Sequence, residues 1–330
     1  MNEPEQPDTN LVYLESHRDR YPLTVSAYES LLRVRPSYRS ILTATRFYPD
    51  AYWHQSEARC REILALCSGD EDRFQRSVTE WIKFASEFLR KQQRFVQSGH
   101  YAIADVDQLQ RDLYQDEDRM QNSYLVALMF SFIFSSNYIG FIQFFQETML
   151  AHVMGAESVC DVGCGHGVYL AQMLLAEPGA FGTGLDISPA SLTTTHKLLD
   201  YYSVHEARYR LEAGDLRGSL PLDDKTQNCV TCFEVIEHLD DPKHALTELR
   251  RILKPNGTLC LSTAIRMESV DHVYLFRHPD EVRSMLESAG FSLLSDRTIP
   301  LTNEDFRDPI VLARLIADPR VPLGYVTLVV

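Results

Sequence analysis

From residue 155 onward the chain alternates strand-like and helix-like segments, and no other property of the sequence restricts its fold so sharply. Seven short apolar runs read as strands: SVCDVG (158–163), GTGLDI (182–187), YRLEAGD (209–215), CVTCFEVI (229–236), TLCLSTA (258–264), FSLLSDRTI (291–299) and YVTLVV (325–330). Helical segments fall between them, around 168–176, 189–201, 243–253 and 279–289. Strands joined through helices pair in parallel, since each crossover lays its helix on a sheet face. The expectation for 151–330 is an α/β unit on a seven-stranded, mainly parallel sheet.

Before that point strand signal is weak and helical periodicity dominates. AYWHQSEARCREILALCSG (51–69) puts Ile63, Leu64 and Cys67 on one face and stops at Gly69. DEDRFQRSVTEWIKFASEFLRKQQRFVQSG (70–99) opens with acids and closes with Lys91, Arg94 and Gly99, matching the helix dipole at both ends. Its buried side is expected to carry Phe74, Val78, Trp81, Ile82, Phe84 and Phe88. A third helical region starts near Asp105, and Pro22 and Pro36 read as breakers in the first forty residues. Residues 1–150 are thus expected to form an α-helical N-terminal domain, for which the family resemblance carried by the downstream motifs implies the role of a lid and substrate pocket.

The first strand runs into Asp161-Val162-Gly163-Cys164-Gly165-His166-Gly167 and then a helix. Glycines at such a turn admit positive φ and let backbone approach a ligand, while the helix behind offers unpaired N–H donors. The next strand ends at Asp186, where an acid meets the two ribose hydroxyls of an adenosine ligand. A dinucleotide fingerprint requires a third glycine where Val168 stands. Here the spacing is D-x-G-x-G-x-G, and an acid ahead of the glycines suits a cationic amine better than a pyrophosphate.

With these motifs in order, residues 155–330 resemble the class I S-adenosylmethionine (SAM) methyltransferases. VCDVGCGHG resembles their glycine motif, GLDIS their ribose acid, AGDLRGSLPLDD the segment after strand 3, and CFEVIEHLDDPKHALTELRRILKPNGTLCLST the strand 4–helix–strand 5 block. The resemblance implies a class I methyltransferase Rossmann-like sheet of seven strands, with SAM bound as cofactor or as substrate. It also implies roles. Gly163 and Gly165 would pass beneath the methionyl part and Asp161 would lie near its amine, directly or through water. Asp186 would hold the ribose, and Ile187 would pack on the adenine. Asp215 would accept from the adenine amino group beside Leu216, and Glu234 would close strand 4 next to the methionyl group.

Methyl transfer from a sulfonium needs alignment and exclusion of water, plus a base where the acceptor must lose a proton. The local candidates are Glu237 and His238 of E-V-I-E-H, with His244, His272 and His278 downstream. Small-RNA 2′-O-methyltransferases use a similar E-x-x-E-H with a distant histidine to bind a divalent metal, and some quinone O-methyltransferases look alike. The motif is also common across this fold with no metal, and no residue is assigned as a metal ligand on sequence grounds. The segment 124–145 lies just before the glycine motif, the position of a lid in this superfamily. It would bring Phe130, Phe134, Tyr138 and Phe141 toward the sulfonium, whose charge aromatic faces attract by roughly 0.5–2 kcal/mol. Asn137 and Tyr138 are its candidate pocket residues, and Tyr274 of segment 272–282 would add a contact from the loop after strand 5.

Composition narrows the partners. A net charge of -14 and a pI near 5.2 argue against nucleic acid, whose phosphates demand a basic face. The longest uninterrupted apolar run of the lid segment, 124–130, is far short of the roughly 20 residues a bilayer needs. The opening MNEPEQPDTN is polar and acidic, so no secretory leader is expected. Seven scattered cysteines suit reduced thiols in the cytoplasm, with Cys229 and Cys232 pointing to opposite faces of one strand. The expected partner is a small molecule, free or held on a carrier protein, and the oligomeric state is open. Three activities fit this reading. One is methyl transfer to a small acceptor, with or without a metal. Another is closure of SAM on itself to azetidine-2-carboxylate and methylthioadenosine, as in the azetidine-2-carboxylate synthases of bacterial secondary metabolism. The third is non-catalytic SAM binding.

Overall fold

The computed structural model describes residues 9–48, 51–101, 120 and 124–330. Short helices α1 (Thr9–Glu15), α2 (Pro22–Val34) and α3 (Arg39–Ala44) lead into α4 (Tyr52–Leu66) and the long α5 (Glu71–Ser98). Pro22 begins α2 instead of breaking the chain, since a proline at the first turn forfeits an N–H that has no partner there anyway. Asp70 caps α5 by accepting from the Arg73 N–H, Glu71 and Asp72 follow in its first turn, and Gly99 closes it at φ 72°. Phe74, Val78, Trp81 and Ile82 are buried as expected, while Phe84 and Phe88 are only half-buried. The helical region expected from Asp105 lies largely outside the described residues.

The chain resumes in α6 (Leu125–Phe134) and α7 (Ser136–Phe144), followed by a π-turn at Phe145–Met149 and α8 (Leu150–Val153). The axis turns by 85° at Ser135, whose backbone is extended. Among the described residues no single helix is long and apolar enough to cross a membrane. The pair is instead built into the core, with all but Leu128 of α6 buried.

The remainder is β1 (Ser158–Val162), α9 (Val168–Ala176), β2 (Phe181–Asp186), α10 (Pro189–Tyr201), β3 (Tyr209–Ala213), β4 (Gln227–Phe233), α11 (Pro242–Ile252), β5 (Leu253–Ile265), α12 (Pro279–Ser288), β6 (Leu293–Pro300), α13 (Pro309–Ala317) and β7 (Leu323–Val329). The last helix went unread in the sequence. Four of these helices begin alike: Ser188, Asp241, His278 and Asp308 each accept a backbone N–H, and a proline follows. The strands form one sheet in the order β3-β2-β1-β4-β5-β7-β6. β7 lies antiparallel to both neighbours, and the other pairings are parallel.

Both sheet faces are covered. Cys229 and Cys232 of β4 fall in separate apolar clusters, as strand alternation requires, and all seven cysteines are buried thiols. The cluster holding Cys229 also takes in α2, α4, α5, α6 and α7, so the helical region and one sheet face share a core. A boundary at 150/151 falls inside α8. This arrangement leaves the C-terminal strand ends beneath the bent helices, the place where open α/β sheets bind ligands.

Candidate active site

A cavity opens over the ends of β1, β2 and β4 and is roofed by α6, α7 and Phe84 of α5. Its floor is the glycine turn. Gly163 and Cys164 donate to Leu185 O at 2.8 and 3.0 Å, which ties the turn to β2. Gly163 and Gly165 adopt φ 72° and 51°, where a side chain would be strained. A Cβ on Gly163 would lie 2.4 Å from Val235 Cγ2, so that glycine is required by packing. Over Gly165 the nearest protein atom is 3.9 Å away, leaving backbone open to a ligand.

Asp186 sits at the rim of this floor. Its Oδ2 accepts from the Gly165 N–H and its Oδ1 from the Ser188 N–H, both at 2.9 Å. Burial raises its pKa against the lowering effect of those amides. Ile187 lies beside it in the wall, as do Asp215 and Leu216 after β3. The Asp215 carboxylate is gripped by the Arg217 guanidinium, with Nη2 2.8 Å from Oδ2, so an incoming amino group would share it with a cation. Asp161 is placed differently from the expectation. It lies outside the cavity wall, within the sheet, where the Thr231 hydroxyl donates to Oδ1 at 2.7 Å and Oδ2 has no hydrogen-bond partner. Burial pushes its pKa up to about 7.

The acids and histidines after β4 and β5 converge on one side. Glu234 takes a left-handed backbone at φ 53° and accepts from the Ser262 hydroxyl at 2.8 Å. Burial, then the charge of Glu237, drives its carboxyl well above the ordinary range. Glu237 is fully buried just behind the wall; Thr263 Oγ1 donates to its Oε2 at 2.8 Å, and its Oε1 has no hydrogen-bond partner. Glu237, His238 and His272 each place a ligand-capable atom within 4.8 Å of the others. His238 Nδ1 lies 2.9 Å from Asp271 O and His272 Nδ1 2.6 Å from Met267 O. A carbonyl only accepts, so each ring carries a proton on Nδ1. Burial pulls the His238 pKa down, but the Asp271 and Glu237 carboxylates outweigh it and the net shift is upward. At Asp271 burial raises the pKa, and the two imidazoles override it to bring it to about 2. His244 is exposed on α11 and His278 caps α12; neither lines the cavity.

The roof corrects the lid expectation in part. Tyr138 does line the cavity, and its phenol pKa is raised by burial and by the nearby Glu234, Glu237 and Asp271. Asn137 does not: it is buried against β7 near Gly324, because the bend at Ser135 turns that face of α7 toward the sheet. Phe130, Phe134 and Phe141 are core residues, and Tyr274 packs on Phe276 away from the cavity. The aromatic wall is formed by Phe132, whose ring meets Tyr138 and His166 edge-on, and by Tyr169 stacked on Phe233 at 3.8 Å. Sequence reasoning missed Phe132, Tyr169, Phe233 and Asp271. Asp271 stands next to His272, a histidine it had singled out.

The match to known proteins follows the same parts of the chain. Residues 160–261 fit the family model of a methyltransferase domain. A ubiquinone biosynthesis O-methyltransferase of Coxiella burnetii is 31% identical over 172 residues, covering 44% of this chain and 69% of that protein. The chain belongs to the class I SAM-dependent methyltransferases. A mitochondrial ubiquinone biosynthesis O-methyltransferase of Schizosaccharomyces pombe is 37% identical to this methyltransferase over 111 residues, 33% of this chain and 39% of that protein. The chain spans about half the length of several curated relatives it matches, 49% and 50% in two bacterial cases. The crystal structure of a SAM-dependent methyltransferase from Mesorhizobium loti aligns with 59% of this chain and 97% of its own, at 15% identity and a TM-score of 0.44. SAM is the cofactor this family implies, and the open backbone over Gly165 beside the Asp186 carboxylate fits its ribose and methionyl parts.

Proposed function

We propose that this methyltransferase methylates a hydroxyl oxygen of a small, largely apolar acceptor, free or carrier-held, in the cytoplasm. The observation that carries the reading is the meeting of Glu237, His238 and His272 at one end of a cavity walled mostly by aromatic and aliphatic side chains. An apolar pocket with a few convergent polar groups suits a small-molecule site. The relatives named as ubiquinone biosynthesis O-methyltransferases support oxygen as the atom methylated.

When bound, SAM would supply a methyl group on a sulfonium, with S-adenosylhomocysteine as the leaving group. The protein's share is placement and proton removal. Asp186 would hold the ribose and the Gly163–Gly165 backbone would carry the methionyl part, while Asp161 lies within the sheet behind them. The Tyr138 and Phe132 rings keep water from the reacting atoms. His238 Nε2 takes the acceptor's proton, with its other nitrogen fixed on Asp271 O.

A second reading has its own observation. The same three residues, with the unpartnered Glu237 Oε1, fit a divalent cation that accepts imidazole and carboxylate donors. Such an ion would supply Lewis acidity toward the acceptor hydroxyl. The deciding experiment incubates the purified protein with SAM and a panel of phenols and ortho-diphenols, with and without chelator, and reads products by mass spectrometry. S-adenosylhomocysteine with a methyl ether is the expected result, and loss on chelation with recovery on added divalent ion selects the second reading. SAM alone giving methylthioadenosine and azetidine-2-carboxylate, with no methyl ether, overturns both in favour of cyclisation.

A further inference from the structure

The histidines of the site are oriented by a loop that the N-terminal part of the chain holds in place. Loop 266–272 follows β5 and is irregular, so its backbone groups must find partners outside a sheet or helix. Two of its carbonyls set the histidine tautomers: Asp271 O faces His238 Nδ1 and Met267 O faces His272 Nδ1. Arg266 donates its N–H to Phe276 O and its guanidinium to Ile316 O, and the loop's further partners include three side chains of the helical region. The buried Gln92 of α5 donates through Nε2 to Arg266 O at 2.9 Å and accepts through Oε1 from the Glu268 N–H at 3.0 Å. One amide thereby matches a carbonyl and an N–H two residues apart, as a neighbouring strand would. The Tyr101 hydroxyl donates at 2.7 Å to Met267 O, the same oxygen that fixes His272. The Tyr124 hydroxyl donates at 2.6 Å to Oδ2 of Asp271, whose carbonyl fixes His238.

We propose that Gln92, Tyr101 and Tyr124 are positioning residues for the methyl-transfer site: they pin loop 266–272 and through it set the orientation of His238 and His272 toward Glu237. None of them is required to touch the acceptor or SAM for this role, and the proposal rests on the reading of His238 as proton acceptor. The helical region is then part of the catalytic geometry as well as a cover. Its removal from the loop frees two imidazoles to rotate while the SAM floor, built on β1 and β2, stays intact.

The test uses the full chain labelled with ring-15N histidine, with wild type compared to Gln92→Met, Gln92→Glu and Tyr101→Phe. Methionine fills the glutamine volume without its hydrogen bonds, and glutamate keeps the acceptor for the Glu268 N–H. Tyr101→Phe removes one hydroxyl at a half-buried position and guards against a Gln92 variant that fails to fold. Gln92→Met and Tyr101→Phe are expected to shift the ring-nitrogen resonances of His238 and His272. Both should lower kcat about tenfold while KM for SAM stays within about twofold, the pattern of a misplaced reacting group. Gln92→Glu should fall between Gln92→Met and wild type. Wild-type resonances in both Gln92→Met and Tyr101→Phe overturn the proposal, as does a loss of kcat matched by an equal rise in KM. If wild type transfers no methyl group to any acceptor, the functional reading fails by itself, and the resonances still decide whether the loop is held from the helical region.

Discussion

Asp161 and Asp186 stand at the ends of adjacent strands, yet their surroundings give them different work. Asp186 has each oxygen on a backbone N–H and faces the cavity, which leaves further lone pairs for a ligand. Asp186→Ala should weaken SAM binding by about 10- to 100-fold, the worth of roughly 1.5–3 kcal/mol for hydrogen bonds to a charged group, and calorimetric titration reads it directly. Asp161 has one hydroxyl for a partner and an oxygen with none. Its folded pKa of about 7 lies above the ordinary 3.8, so in that window the folded protein binds a proton the unfolded chain has released. That contribution to stability is greatest at low pH, falls as pH rises through the window and levels off above about 7. Asp161→Asn cannot ionise, so its melting temperature relative to wild type should climb from about pH 5 to about pH 7.5. A gap that stays constant over that range counts against the buried, poorly solvated carboxyl.

At the scale of elements, what could be read from the sequence was what neighbouring residues decide. The D-x-G-x-G-x-G turn, the capped start of α5 and Gly99 at its end are local geometry, and each stands where spacing put it. Glu237 and His238 stand just past the end of β4 for the same reason. The partnership of His238 with Asp271 was not legible, because only the pairing of β4 with β5 brings their loops together. Asn137 failed differently. A helix as uniformly apolar as α6 gives periodicity no face to report, and the 85° turn at Ser135 resets the phase of whatever follows. That turn is held by Ser136, which donates to Pro300 O at 2.8 Å and accepts from the Thr302 N–H at 3.1 Å. Ser136→Ala leaves a carbonyl and an N–H unmatched at a buried joint, at a cost of about 1–3 kcal/mol seen as a lower denaturation midpoint. Tyr138 then loses its place in the wall, and KM for SAM should rise along with the loss of stability.

Across the whole molecule, the helical region and one face of the sheet share a core despite their different sequence character. Phe141 and Phe145 meet Phe233 at 6.4 and 6.1 Å, and Phe145 meets Tyr169 at 5.1 Å, so the seam between the two is itself aromatic core. A fragment of residues 151–330 would expose that seam. It should bind the dye ANS strongly and aggregate, whereas a fragment that stays monomeric with a sharp melting transition would show two separable domains. The strand order carries a consequence in time. β6 is joined to the sheet through β7 alone, and β7 must lie between β5 and β6. During refolding β6 therefore has no berth until the strand that follows it in sequence has arrived. Pulse-labelled amides of β6 are expected to gain protection no earlier than those of β7, and protection of β6 ahead of β7 would count against this order.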